Sequence, residues 1–370
     1  MWGTGRDRIN PGAKTPILMR LLMNSRTVLI FMLACVGAGT LCAQSTPSPA
    51  LLVLAKRDTS LAIVDPATLQ VVGRVPAGPD PHEVIASPDG RFAYISNYGG
   101  GAYNTLSVAD LVAQKPLPPI DLGVLHGPHG LWFAGGKLYF TAEANKVIGR
   151  YDPSSGKVDW VLGTGQNRTH MIVVASGLDR IFTSNVSSAT ISIIDKVIHP
   201  PGPPGPPPGA PNGPPPGPRG PDWDQTLVAV GRGSEGFDIT PDGRELWAAN
   251  AQDGTISIID VANKKVTQTL DANVVGANRL KFTLDGKRAF VSSLRGADLA
   301  VFDVSSRQDV KRIKLGRGAA GILMQPDGSR VYVACSPDDY VAVIDLKTLE
   351  IIGHIDAGRE PDGLAWATRQ

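Results

Sequence analysis

The sequence predicts an all-β fold: a seven-bladed β-propeller whose ring is closed by strands from both termini. Three observations carry this. A phrase recurs, as SPDGRFAYISN at 87–97, TPDGRELWAAN at 240–250, TLDGKRAFVSS at 283–293 and QPDGSRVYVAC at 325–335. Where nothing intervenes, neighbouring copies stand roughly 40–45 residues apart, the length of a four-stranded blade. Each copy follows a short apolar run and precedes an alternating one, the pattern of an all-β repeat array. The two ends are also complementary. LLVLAKRDTSLAIVDPATLQVVGRV at 51–75 supplies three outer strands without a first one, and EPDGLAWA at 360–367 supplies a first strand without the others.

Taken in order, the chain opens on an expected export signal. Arg20 and Arg26 precede an apolar run from Thr27 to Leu41, and Leu-Cys-Ala at 41–43 stands before Gln44. A basic stretch, an apolar stretch of about 7–15 residues and a small-residue exit are the pattern of a secretory signal. The run is short for a membrane span. The expected divisions are a signal peptide at 1–43 (true start at residue 1, Met19 or Met23), a linker at 44–50 and the propeller at 51–370. The mature protein is expected in the periplasm or outside the cell, with lipid anchoring at Cys35 or Cys42 as the alternative. Only Cys335 survives cleavage at Ala43, so no internal disulfide is expected. It reads as a small buried strand residue.

Within each repeat the innermost strand, A, is short and apolar, as in EVIAS at 83–87, GFDIT at 236–240 and GILMQ at 321–325. The Asp-Gly turn makes a tight hairpin to strand B, because Gly accepts positive φ without steric cost. Strand C follows a polar loop, as in TISIIDV at 255–261, and strand D completes the blade. Clear A–B turns at 88–90, 241–243, 284–286 and 326–328, with degenerate ones at Gly135-Gly136 and Gly177–Asp179, give six blades; the split ends give the seventh. Closing a ring in this way removes the exposed edges of a linear array. Asp65, Asp152, Asp195, Asp260, Asp303 and Asp345 recur at the end of strand C, so they are expected to accept backbone hydrogen bonds in turns rather than act as catalytic carboxylates. Asn97, Asn185 and Asn250 are likewise expected to form turns. The Pro/Gly insert at 199–221 cannot supply strand donors, and reads as a polyproline or flexible loop between strands C and D of one blade.

The cores YISN (94–97), FTSN (182–185), WAAN (247–250), FVSS (290–293) and YVAC (332–335) sit in phrases such as TPDGRELWAANAQDGTISIIDVANKKV. They resemble YVTN-type β-propeller repeats, from about Leu51 to Trp366. That resemblance implies an exported or surface-located bacterial protein. It speaks strongly to fold and weakly to activity.

Strands A line a central channel, and their first positions crowd at one mouth. Aligned on the turns, these positions hold His82, His129, His170, Glu235, Asn278, Ala320 and Asp362. Half of the six histidines of the chain thus fall at one repeat position. The stretch around His170 reads one residue longer than its sisters; taken up in the strand, that residue would turn His170 away from the channel. Arg279, Tyr98 and Tyr103 join the candidate ligand-binding set, with Glu83, Arg168, Arg359 and Glu360 expected nearby. His126 is expected in solvent, His199 in the insert and His354 on an outer strand.

His82, His129, His170 and Glu235 are the expected ligands if the mouth holds a divalent metal ion, since imidazole and carboxylate together suit Zn, Cu, Mn or Fe. The first functional reading is a non-enzymatic exported binding or scaffold protein that takes a small molecule, peptide or protein at the mouth. The second is a lactonase-like hydrolase or lyase using that metal, and a third is an accessory protein that handles copper. Net charge is +2 with no basic stripe, which points away from nucleic acid. A monomer without a membrane span in the mature chain is expected.

Overall fold

Each A–B hairpin closes as its sequence requires. Gly90, Gly243, Gly286 and Gly328 have φ between 67° and 73°, and each N–H donates three residues back, as Gly90 does to the Ser87 carbonyl at 2.8 Å. The turn Asp accepts from the amide beyond it, as Asp89 Oδ1 does from Arg91 at 3.1 Å. The stretch at His170 closes in the same way. Leu178, at φ 56°, takes the place of the glycine, and its N–H donates to the Ala175 carbonyl at 2.9 Å. The distance from His170 to Ala175 along the chain therefore equals that from His82 to Ser87, and the extra residue expected from the sequence does not exist. The turn spans Ala175 to Leu178, so the positions equivalent to 88–90 are 176–178, one earlier than the expected Gly177–Asp179.

This computed structural model describes residues 45–198 and 221–369. The expected export signal and almost all of the Pro/Gly insert, with His199, lie outside the described residues. Seven four-stranded antiparallel sheets follow one another as blades. Blade 1 runs over 81–121, blade 2 over 128–163, blade 3 over 169–229, blade 4 over 234–271, blade 5 over 277–314 and blade 6 over 319–355. Blade 7 combines Pro361–Ala367 with Ala50–Ala55, Ser60–Asp65 and Gln70–Pro76. Leu52 pairs with Ala365 and Ala50 with Ala367, so the ends close the ring as the split repeat predicts. The insert joins Thr190–Val197 to Asp222–Ala229, strands C and D of blade 3. No helix among the described residues is long and apolar enough to cross a membrane.

The first letter of each core motif is an interface residue. Trp247, Phe290 and Tyr332 are fully buried. Trp247 meets Phe282 edge-on with ring centroids 5.4 Å apart, and Tyr332 meets Trp366 at 5.6 Å. An aromatic ring on strand B thus seats against strand A of the next blade, a geometry favoured by the ring quadrupoles. The Asn that closes the motif corrects the expectation of a turn former. Asn97 Nδ2 donates to Thr105 Oγ1 at 2.9 Å and Ser107 Oγ at 3.0 Å, and Asn250 repeats this with Thr255 and Ser257. It is a buried cross-strand tie from B to C, which satisfies polar groups that burial would otherwise penalise. The Asp residues ending strand C do accept turn amides, as Asp345 does from Lys347 and Thr348. Asp195 is the exception: the long insert removes its turn, and it pairs with Arg180 and Lys264 instead.

Strands A of adjacent blades approach closely at the channel. A Cβ on Gly130 would lie 2.5 Å from the His170 carbonyl oxygen, and one on Gly236 would lie 2.6 Å from the Arg279 Cα. Only glycine fits there, which explains the His-Gly and Glu-Gly pairs at the mouth.

Candidate functional site

The mouth positions of strand A occupy equivalent registers. Pro81, Pro128, Thr169, Ser234, Ala277, Ala319 and Pro361 each pair with the last residue of strand B, or in blade 7 with Ala55. The next residue in each blade is His82, His129, His170, Glu235, Asn278, Ala320 or Asp362. All seven line one cavity of about 440 Å³. B–C loops contribute Tyr98, Leu294 and Ser336, and D–A loops contribute Arg168, Arg317 and Glu360. Arg279 lies at its base. Tyr103 and Arg359 do not line it. The Tyr103 ring folds over Gly99, and Arg359 turns outward to Asp58, with Nε 2.6 Å from Oδ1. His126 sits at the loop surface with Nδ1 2.9 Å from the Ala102 carbonyl, and His354 stacks edge-on with Tyr340 on an outer strand.

Three imidazoles form a row. The His82 and His129 ring centroids are 5.1 Å apart and those of His129 and His170 are 3.8 Å apart. Tyr98 packs edge-on against both His82 and His129. His82 is the half-exposed end of the row: its Nε2 lies 3.1 Å from Lys56 Nζ and 3.2 Å from Asp80. His129 is 2% exposed, and its Nδ1 has no hydrogen-bond partner among the described residues.

Glu143 is the residue that sequence reasoning missed. It is buried, and one oxygen accepts from His170 Nδ1 while the other accepts the Tyr98 hydroxyl at 2.6 Å. Arg168 spans Glu143 at 3.5 Å and Glu235 at 3.6 Å. Glu235 also accepts from Asn278 Nδ2 at 2.8 Å. A usable signal existed: the position just after the core motif holds Lys56, Tyr98, Glu143, Leu294 and Ser336 in five blades. Four of these five, all but Glu143, line the same cavity. Among the described residues, His129, Glu143 and His170 are the group whose donor atoms all lie within 4.8 Å of one another. His82 and Glu235 stand outside that group.

Arg279, which is buried, and the partly buried Glu83 form an ion pair across the channel, joining blades 5 and 1. Arg279 also lines a smaller cavity of about 260 Å³ farther along the channel, walled by Trp132, Met171, Phe237 and Trp366. The pair therefore floors the mouth cavity. Burial opposes the Arg279 charge, but Glu83, Asp362 and Glu235 outweigh it and hold its pKa above the ordinary value.

Burial pushes the His129 pKa well below 6.5, and its electrostatic interactions with His170, His82, Arg279 and Arg168 lower it further. Burial also lowers His82, against the pull of Asp362. Burial raises Glu143, yet its contacts with His170, Tyr98 and Arg168 leave its pKa below the ordinary value. Burial and the Glu143 hydrogen bond push Tyr98 to about 12. Below pH 6.5 the unfolded chain takes up protons that folded His82 and His129 refuse. Stability is therefore present at neutral pH and lost as pH falls through 6.5, by at most about 1.4 kcal/mol per pH unit for each histidine. Urea unfolding at pH 7, 6 and 5 should show a falling midpoint, and His129→Leu should flatten the slope. An unchanged slope in that variant would contradict a neutral buried His129.

The fold and site together define a seven-bladed β-propeller with an imidazole-rich polar cavity at one mouth of its channel. No family model matches the chain. It is 26% identical over 144 residues to the uncharacterized protein YncE of Salmonella typhimurium and to that of Salmonella typhi. The Salmonella typhimurium alignment covers 38% of this chain and 40% of the relative. Among solved structures, a functionally unknown protein from Desulfotomaculum acetoxidans superposes with a TM-score of 0.68 at 13% identity, over 87% of this chain and 100% of that one. A candidate 6-phosphogluconolactonase from Bacteroides uniformis gives 0.66 at 16%, over 86% and 99%. Hydrazine synthase of Kuenenia stuttgartiensis gives 0.62 at 17%, over 83% and 98%. At these identities the likeness is one of fold.

Proposed function

We propose that this is an exported binding protein that holds a small polar ligand in the mouth cavity. One observation carries the reading: the mouth positions of all seven inner strands surround a single cavity, and two of the residues lining it, His129 and Asn278, each keep a buried side-chain atom, Nδ1 and Oδ1, without a hydrogen-bond partner among the described residues. Buried polar groups are normally hydrogen-bonded, so unmet ones in residues that line a cavity favour a ligand whose binding completes them. The volume falls within the range of small-molecule pockets, roughly 300–1,000 Å³. The cations at the rim are already engaged, Arg57 with Glu360, Arg317 with Asp338 and Lys56 with Asp362. This favours a ligand with both donors and acceptors over a simple polyanion. Export rests on the basic and apolar pattern before Ala43.

The test is equilibrium dialysis of the purified protein against a mixture of sugars, sugar acids, amino acids and nucleosides, read by mass spectrometry. At least one compound should be retained. Leu294→Trp narrows the mouth at a position 48% exposed, so the variant should stay folded and lose that compound. Equal retention by the variant, or none by the parent, would count against this reading.

A further inference from the structure

We infer that His129, His170 and Glu143 form a site for one divalent first-row transition-metal ion at the inner end of the mouth cavity; this deepens the binding reading above and rests on it. Three observations support the site. The donors are two imidazoles and one carboxylate, with ligand atoms within 4.8 Å of one another. Bonds to Zn²⁺ of about 2.0–2.2 Å place donors up to about 4.4 Å apart, so small side-chain rotations bring all three onto one ion. All three residues are buried, at 2%, 3% and 6% exposure, so the donors are gathered away from bulk water before any ion arrives.

The second observation is the orphaned Nδ1 of His129. A buried imidazole nitrogen without a partner loses the hydrogen bond that water would give it, and a metal ion supplies the missing contact. The third is the support behind the donors. The Tyr98 hydroxyl holds the far oxygen of Glu143 at 2.6 Å, and Arg168 holds the same oxygen at 3.5 Å. Such outer contacts orient metal ligands.

Two nitrogens and one carboxylate oxygen suit Zn²⁺, Fe²⁺ or Co²⁺ and disfavour Ca²⁺ and Mg²⁺, which take oxygen donors. His129 and His170 face the cavity, so the remaining coordination position opens toward the bound molecule. The ion takes the place of the contact now made by His170 Nδ1 and Glu143, so Nδ1 gives up its proton as the ion binds, to Nε2 of the same ring from a neutral imidazole or to solvent from an imidazolium.

The experiment titrates untagged, chelator-treated protein with Zn²⁺ by calorimetry and with Co²⁺ by visible absorption. One equivalent of each should bind, and Co²⁺ should give the strong bands of a low-coordinate site. Glu143→Gln and His170→Ala should each weaken Zn²⁺ binding by about 10–100-fold or more. His354→Ala, on an outer strand, should leave binding unchanged. Crystals of the unaltered protein soaked in Zn²⁺ provide a readout that needs no variant: the anomalous peak should fall between His129 and His170. No uptake, uptake retained in both site variants, or a peak elsewhere would overturn the metal site. An organic compound retained in the dialysis experiment without any metal uptake would overturn the ion and leave the binding cavity standing. Loss of both would remove both.

Discussion

Removal of residues 360–370 should leave the chain without a cooperative folded state. Strand Pro361–Ala367 is the whole inner strand of blade 7. Without it, Ala50–Ala55 keeps only its pairing with Ser60–Asp65 and faces the channel as an open edge, and such edges template aggregation. Trp366 also leaves, taking its edge contact with Tyr332 and its hydrogen bond to the Met324 carbonyl at 2.7 Å. That single side chain bridges blades 6 and 7. The truncated protein should elute as soluble aggregate or fail to accumulate, with no sharp thermal transition by circular dichroism. Trp366→Ala provides a milder companion, expected to lose about 3–5 kcal/mol in urea unfolding. A truncated monomer melting near the parent temperature would contradict closure by the termini.

Arg279→Ala should cost about 3–5 kcal/mol, the second large effect. The substitution leaves the partly buried Glu83 carboxylate without its partner. The cost is chiefly that of the abandoned carboxylate, so changing both residues tells more than changing one. The double variant Arg279→Met, Glu83→Leu should recover most of the loss, because a well-packed apolar pair often replaces a buried ion pair without penalty. Urea unfolding followed by tryptophan fluorescence measures both. Arg279→Ala within about 1 kcal/mol of the parent would show that the pair is not a structural tie. The same comparison bears on the site, since this pair floors the cavity beneath His129.

The repeat made the architecture legible because each blade spells its own turn. Asp-Gly at four turns and a self-complementary pair of ends were enough to count blades and to align the mouth positions. Where the spelling changes, the reading slips. Leu178 adopts the left-handed conformation in place of glycine, so Gly177 drew the alignment away from the true turn. The motif Asn residues looked like turn formers because Asn favours turns in general. Only the fold places Thr and Ser of strand C beside each of them. The mouth histidines were visible as a column in the alignment, but the acidic partner of His170 was not. Glu143 belongs to a different column, the residue after strand B, and blades converge in space in ways that one column does not record. Tyr98 and Tyr103 show the same limit: five residues apart in one loop, one ring enters the cavity and the other covers Gly99.

The claim on which the site depends is that strands from separate blades bring three imidazoles into one row. Histidine-labelled protein tests it directly by nuclear Overhauser measurements, since six histidines are few enough to assign by single substitutions. Cross-peaks should join ring protons of His129 to His170, whose centroids are 3.8 Å apart, and more weakly His82 to His129 at 5.1 Å, with none linking either pair to His354. Spectra of folded protein in which His129 shows no contact with His170 or His82 would contradict the row and the cavity built around it.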